Sequence, residues 1–164
     1  MTNNEDGMKK NLTNYGDKGF SIFLRKAFIK GLGYSDEMLD KKIIGITNTF
    51  SDYNPCHGNV PDLIKSVKTG ILSNGAIPLE FPTITIHESF ANPTSMYLRN
   101  LMSIDTEEML RAQPMDACVL IGGCDKTVPA QIMGGLSADI PIIQLVTGPM
   151  LTGSFRGETV GACT

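Results

Sequence analysis

Val119-Leu120-Ile121-Gly122-Gly123-Cys124-Asp125-Lys126-Thr127 is an apolar run that breaks into two glycines and then into three consecutive residues able to hold or tune a metal. A short apolar run ending in Gly-Gly predicts a buried parallel strand and a tight turn. Beyond it, Pro129 to Leu136 predicts a helix whose buried face carries Pro129, Ile132, Met133 and Leu136. Cys124, Asp125 and Lys126 then stand at the carboxyl end of a strand, the edge at which open α/β sheets bind ligands.

The same grammar repeats toward the N-terminus. Ile43 to Phe50 is β-branched and apolar, which suits the first strand of a buried sheet, and it runs into the polar loop Ser51-Asp52-Tyr53-Asn54-Pro55-Cys56-His57-Gly58-Asn59. Val60, Leu63, Ile64, Val67 and Ile71 follow at helical spacing, with Asn59 as cap, Pro61 in the first turn and Asn74-Gly75 as the stop. Ala76 to Ile86 is extended but interrupted by Pro78 and Pro82, the mark of a kinked or edge strand, and it ends in His87-Glu88-Ser89. Thr94 to Met102 reads as helical. Asp105 with Glu108 has the form of a capping box for a helix that stops by Pro114. Ile140 to Val146 makes another strand, and Thr147-Gly148-Pro149-Met150 turns out of it. Strands alternating with helices at this spacing predict an α/β fold, a parallel sheet flanked by helices on both faces.

Phe20, Phe23, Leu24, Ala27 and Phe28 predict one buried helical face between Phe20 and Lys30, stopped by Gly31 and Gly33, and Ser35 caps a short helix through Leu39. Residues 1–19 are polar and aperiodic, so they read as a flexible lead-in or an arm that orders only against a partner, with 20–164 forming one partial α/β domain.

Of the 164 residues, 41% are hydrophobic and 19% charged, which excludes whole-chain disorder. A formal charge of -3 without any block of Lys or Arg leaves no electrostatic footprint for nucleic acid or an anionic membrane. No run of about eighteen apolar residues exists, and the polar, acidic start Met1-Thr2-Asn3-Asn4-Glu5-Asp6 lacks the basic and apolar regions of a leader. A cytoplasmic protein is expected, in which Cys56, Cys118, Cys124 and Cys163 are thiols or metal ligands rather than disulfides. None forms a CxxC pair, so a zinc ribbon is excluded.

Right-handed crossovers bring Cys56, Glu88 and Cys124-Asp125-Lys126 to one sheet edge. Two thiolates favour an iron-sulfur cluster, and the oxygens of Glu88 and Asp125 suit magnesium. Each residue also has a plainer role. Cys56 and Cys124 could be inert buried thiols, as Cys118 inside its strand reads, and Glu88 and Asp125 could be helix caps or solvated carboxylates. Lys126 could be a surface ammonium. Near a helix N-terminus, however, its protonated form is disfavoured and an anionic carbamate favoured. His57 and His87 read as non-ligating, with places beside Cys56 and Glu88 that suit support or proton transfer. Gly122-Gly123 lacks the spacing of a phosphate loop, and Cys56 beside His57 lacks the separation that usually lets a thiol meet its base.

Asn54-Pro55-Cys56, the Glu88-Ser89 strand end and Gly122-Gly123-Cys124-Asp125-Lys126 together resemble the dihydroxy-acid and sugar-acid dehydratases, in the family's order from about Phe20 to Thr164. Gly148-Pro149-Met150-Leu151, Arg156-Gly157-Glu158 and the Glu at position 88 lean toward the sugar-acid branch. The resemblance implies that Cys56 and Cys124 ligate an iron-sulfur cluster, of the 2Fe-2S type with 4Fe-4S as the alternative. It implies too that Glu88, Asp125 and a carbamylated Lys126 hold Mg2+. The implied reaction is dehydration of a small sugar acid or dihydroxy acid to a 2-keto-3-deoxy acid, in a homo-oligomer when full length. The family's third cluster cysteine and its catalytic base belong to chain beyond Thr164, and Cys163 does not match the third ligand. The chain is therefore expected to be the N-terminal part of a larger enzyme, incomplete at its C-terminus and inactive alone. The alternatives are a non-catalytic α/β binding module that has lost the cluster and a dihydroxy-acid dehydratase of branched-chain amino-acid synthesis.

Overall fold

The computed structural model describes residues 5–12 and 15–161. Strands β1 (Ile43–Asn48), β2 (Ile77–Pro82), β3 (Ala117–Gly122) and β4 (Ile142–Val146) form one parallel sheet in the order β2-β1-β3-β4. The two prolines of β2 are accommodated because it is an edge strand. Strand pleating sends Ile43 to one face and Ile46 to the other. On the first face Ile43, Ile77, Phe81, Cys118 and Leu120 join Leu110 of α4 (Arg99–Ala112) and Ala138 of α5 (Thr127–Ala138) in the larger core. Helices α1 (Lys18–Lys30) and α2 (Asp36–Leu39) complete it through Ile22, Ile29 and Leu39. On the second face α3 (Val60–Ser73) seats Val60 and Ile64 on Ile46 and Ile121. The parallel sheet with helices on both faces is thus present.

Several local expectations are corrected. In α1 the stripe Phe20, Phe23 and Phe28 is 50%, 62% and 75% exposed, while Ser21 is buried and Ile22 and Ile29 turn to the core. In α5, Ile132, Met133 and Leu136 also face outward, and Ala130, Gln131, Gly134, Gly135 and Ala138 are buried. The reason is close approach. A Cβ on Gly134 would run into the Ser103 carbonyl of α4, and one on Gly135 would lie 2.8 Å from Ile142 Cδ1 and 2.9 Å from Leu120 Cδ1. Helix α5 therefore wedges between α4 and the sheet with its small residues inward, a constraint periodicity alone does not carry.

Asp105 caps nothing. It lies inside α4, and its carboxylate accepts the Ile84 N–H at 2.7 Å, tying the chain after β2 to that helix. Asn59 does stand at the N-cap of α3, its carbonyl accepting the Asp62 and Leu63 N–H groups, but its side chain makes no cap bond and donates instead to the Thr147 carbonyl at 3.0 Å. Residues 5–12, read as part of a flexible lead-in, pack against their own chain. Met8 is buried, the Asp116 carboxylate accepts the N–H groups of Gly7 and Ile43 at 3.0 and 2.7 Å, and Arg25 donates to the carbonyls of Met8, Lys10 and Asn11. Low apolar content hid this because the arm is held by backbone hydrogen bonds, with one methionine as its plug. A hairpin of β5 (Gly153–Phe155) and β6 (Glu158–Val160), absent from the sequence reading, turns at Arg156-Gly157, whose φ angles of 53° and 84° are those of a tight hairpin turn. No helix among the described residues is long and apolar enough to cross a membrane.

Two glycine substitutions separate propensity from packing. Gly70 in α3 has open space where a Cβ would stand, so Gly70→Ala is expected to stabilise the protein by about 0.5–1 kcal/mol. Gly134→Ala gains the same propensity but drives a methyl into α4, and overpacking of about 1–3 kcal/mol makes the net change destabilising. Urea denaturation midpoints of the two variants should shift in opposite directions.

Candidate functional site

The site begins where two adjacent strands part. The β1–β3 ladder runs only from Ile44↔Ala117 to Ile46↔Val119, although both strands continue. Two residues further the same register would set Ile121 opposite Asn48, with its N–H and carbonyl bonded to the backbones of Thr47 and Thr49. The Thr hydroxyls stand there instead. Ile121 N–H donates to Thr47 Oγ1 and Thr49 Oγ1–H donates to the Ile121 carbonyl, both at 2.8 Å, while Gln131 Nε2 bonds both that carbonyl and Thr47 Oγ1. From this point β1 leads through α3 to β2 on one side, and β3 leads through α5 to β4 on the other. Such a divergence opens a crevice at the carboxyl ends of an α/β sheet, where ligands bind.

Cys56 enters the crevice on a short 3-10 turn, Pro55–His57, and Cys124 follows β3 directly. One ligating atom each of Cys56, His87 and Cys124 lies within 4.8 Å of the other two. His57 binds the two loops together. Its ring is fully buried, Nδ1 lies 2.8 Å from the Thr49 carbonyl, and Nε2 accepts the N–H groups of Gly123 at 2.9 Å and Cys124 at 3.2 Å. The tautomer follows: Nε2 accepts, so Nδ1 carries the proton and donates to Thr49. Burial pushes the imidazolium form down. The third loop contributes Thr147, whose hydroxyl donates to the Cys56 carbonyl at 3.0 Å and would overlap any Cβ on Gly123.

Beside the thiols stand two carboxylates and an ammonium. Lys126 Nζ lies 2.7 Å from Asp125 Oδ2 and 3.5 Å from Glu88 Oε2, with its side chain only 12% exposed. Glu88 also accepts the backbone N–H and the hydroxyl of Ser95. Those bonds, the Ser95 hydroxyl first, hold the Glu88 carboxyl down at about 2. Asp125 is lowered chiefly by Lys126, and Lys126 is raised by Asp125 and Glu88. Asp125 and Glu88 thus favour the Lys126 ammonium, against the pull expected of the helix N-terminus. The Cys124 thiol goes the other way, pushed up to about 11 by burial and then by Cys56 and Asp125.

The expected site residues Cys56, Glu88, Cys124, Asp125 and Lys126 all line one cleft of about 530 Å³, joined by His87, Ser89 and Gly148-Pro149-Met150. Cys118 lies buried in β3, away from the cleft, and Cys163 lies outside the described residues. Ser95, Thr147 and the bridging role of His57 were missed in the sequence, since a hydroxyl or imidazole aimed at a distant backbone group leaves no local spacing signal.

Residues 41–163 match the family described as dihydroxy-acid/6-phosphogluconate dehydratase N-terminal. The chain is 44% identical over 151 residues to an L-arabinonate dehydratase of Rhizobium leguminosarum bv. trifolii (strain WSM2304), covering 92% of this chain and 26% of that protein. It is 43% identical over 129 residues to a 6-deoxy-6-sulfo-D-gluconate dehydratase of Pseudomonas putida, covering 79% and 22%, and 41% identical over 146 residues to a dihydroxy-acid dehydratase of Methanococcus vannielii, covering 86% and 26%. The chain spans about a quarter of the length of these relatives.

Two outcomes are expected from these environments. In metal-free protein at pH 8, iodoacetamide should modify half-buried Cys56 well before Cys124 and Cys118, which are buried and whose thiols stand at about 11 and about 12. Only thiolate reacts, so the slow sites should accelerate as pH rises, which peptide mass spectrometry would follow. Ser95→Ala removes the leading donor to Glu88, so NMR titration of that carboxyl should show its pKa rise from about 2 toward the ordinary carboxylate range.

Proposed function

We propose, because this chain belongs to the dihydroxy-acid/6-phosphogluconate dehydratase family, that it is the metal-holding part of a hydro-lyase that converts a sugar acid to a 2-keto-3-deoxy acid. The observation that carries the reading is the opening of a thiol pair and a carboxylate pair onto the same cleft, side by side through the adjacent Cys124 and Asp125. The donor set fits the implied groups. Cys56, half-buried, and Cys124, buried, offer close-set sulfurs suited to an iron-sulfur cluster, and Glu88 and Asp125 offer hard oxygens suited to Mg2+. When bound, the cluster and magnesium supply Lewis acidity for departure of the C3 hydroxyl and stabilise negative charge developing on the C2 side.

The chain's own residues prepare that chemistry. Lys126 now neutralises part of the charge of Glu88 and Asp125, holding them together as a cation would. Were the Lys126 amine to take up carbon dioxide with release of two protons, its carbamate would join Glu88 and Asp125 as a third oxygen donor, and one Mg2+ held by the three would leave the net charge of the site as it is with the ammonium. Ser95 keeps Glu88 ionised and aimed, and Gly148-Pro149-Met150 walls the cleft on its far side. Glu88 and the similarity to L-arabinonate dehydratase favour a five-carbon aldonate over a branched dihydroxy acid.

Reconstitution of the full-length protein with iron and sulfide should give a visible iron-sulfur spectrum that Cys56→Ser and Cys124→Ser abolish and Cys118→Ser keeps. Full cluster content in the first two variants would refute the ligand assignment. Faster turnover of a branched 2,3-dihydroxy acid than of L-arabinonate would move the activity to the other branch.

A further inference from the structure

We infer that His57 is the positioning residue of the cluster site: its imidazole sets the separation of Cys56 and Cys124 by taking both N–H groups of the Gly123-Cys124 turn on one ring nitrogen. The inference rests on the reading of Cys56 and Cys124 as cluster ligands and deepens it. His57 follows Cys56 in the chain, so every constraint on its ring also constrains the Cys56 backbone. The ring is clamped at both ends. Nδ1–H donates to the Thr49 carbonyl at 2.8 Å, where β1 ends, and Thr85 Oγ1 approaches the same nitrogen at 2.9 Å. Nε2 then reaches across the crevice to the backbone that carries Cys124.

Orphaning two N–H groups beside a buried thiol would leave two desolvated donors unpaired, so the turn has a strong reason to stay on the imidazole. Fixing the Cys124 backbone in this way leaves its sulfur facing Cys56 and His87, within the 4.8 Å set. The Thr147 hydroxyl holds the Cys56 carbonyl from the other side, yet it cannot replace His57, because it is a donor to Cys56 and offers Cys124 no acceptor.

The two ends of the ring can be tested separately. An Asn amide nitrogen falls near the place of Nδ1, so His57→Asn keeps the bond to Thr49 and loses the acceptor for Gly123 and Cys124. A Gln oxygen falls near Nε2, so His57→Gln keeps that acceptor and loses Thr49. After reconstitution of the full-length protein with iron and sulfide, His57→Gln should retain the wild-type visible and EPR signature. His57→Asn should hold its cluster roughly 10-fold less well against a chelator, the usual scale for losing a group that orients a ligand. Asn retaining the cluster as well as Gln, whether both keep it or both lose it, would overturn the inference. If either variant does not fold, the wild type decides: metal-free, 15N-labelled protein should show a nitrogen-nitrogen coupling across the hydrogen bond from the Gly123 or Cys124 amide to His57 Nε2, and absence of both couplings overturns it. Loss of the cluster in Cys56→Ser and Cys124→Ser with an unaffected His57→Asn would defeat this inference alone. Retention in the cysteine variants would defeat the cluster reading beneath it.

Discussion

The parting of β1 and β3 after Ile46 and Val119 is the constraint on which the rest depends. Two parallel strands that stop pairing inside a protein leave backbone groups that water cannot reach, and each such group costs about 1–3 kcal/mol if unpaired. Here the hydroxyls of Thr47 and Thr49, both fully buried, stand where the β1 backbone would have been, with Gln131 bracing them. The Ile121 backbone groups therefore keep hydrogen-bond partners where the ladder stops. The gap there is the crevice. A fully zipped β1–β3 pair would bring the two cysteine loops together with no room for a ligand between them.

Above the gap the site divides by dielectric and charge. Cys124 is buried and its thiol strongly favours the neutral form, whereas its neighbour Asp125 is exposed and ionised against Lys126. A soft, more buried sulfur pair and a hard, wetter oxygen pair thus meet at Cys124 and Asp125, adjacent along the chain. The ammonium of Lys126 keeps the oxygens from repelling each other, and Ser95 keeps Glu88 from protonating. Each half suits a different metal chemistry, and both face one volume.

Much of this was legible before the fold was known. The strand-turn-helix units after Ile43 and Ala117, the edge character of β2 and the convergence of Cys56, Glu88 and Cys124-Asp125-Lys126 follow from hydrophobic period, turn residues and the handedness of crossovers, all of them local rules. The failures share a cause. For α1 and α5 the period located two faces but not which one goes inward, and large apolar residues lost to Ser21, Gly134 and Gly135 because close backbone approach selects small side chains. Asp105 resembled a cap through its spacing to Glu108 and Asn59 through its place before α3, yet each side chain bonds a backbone group distant in sequence.

By itself, then, the sequence determined the element types, the parallel α/β class and the residue chemistry at the strand ends, because those depend on neighbours within a few positions. Tertiary structure alone decided that His57 spans from Thr49 to Gly123 and Cys124, that Thr47 and Thr49 stand in for a missing ladder, and that residues 5–12 pack on Asp116. These are hydrogen bonds across long sequence separations, set by where the sheet places each backbone group, and no local pattern of residues encodes that distance.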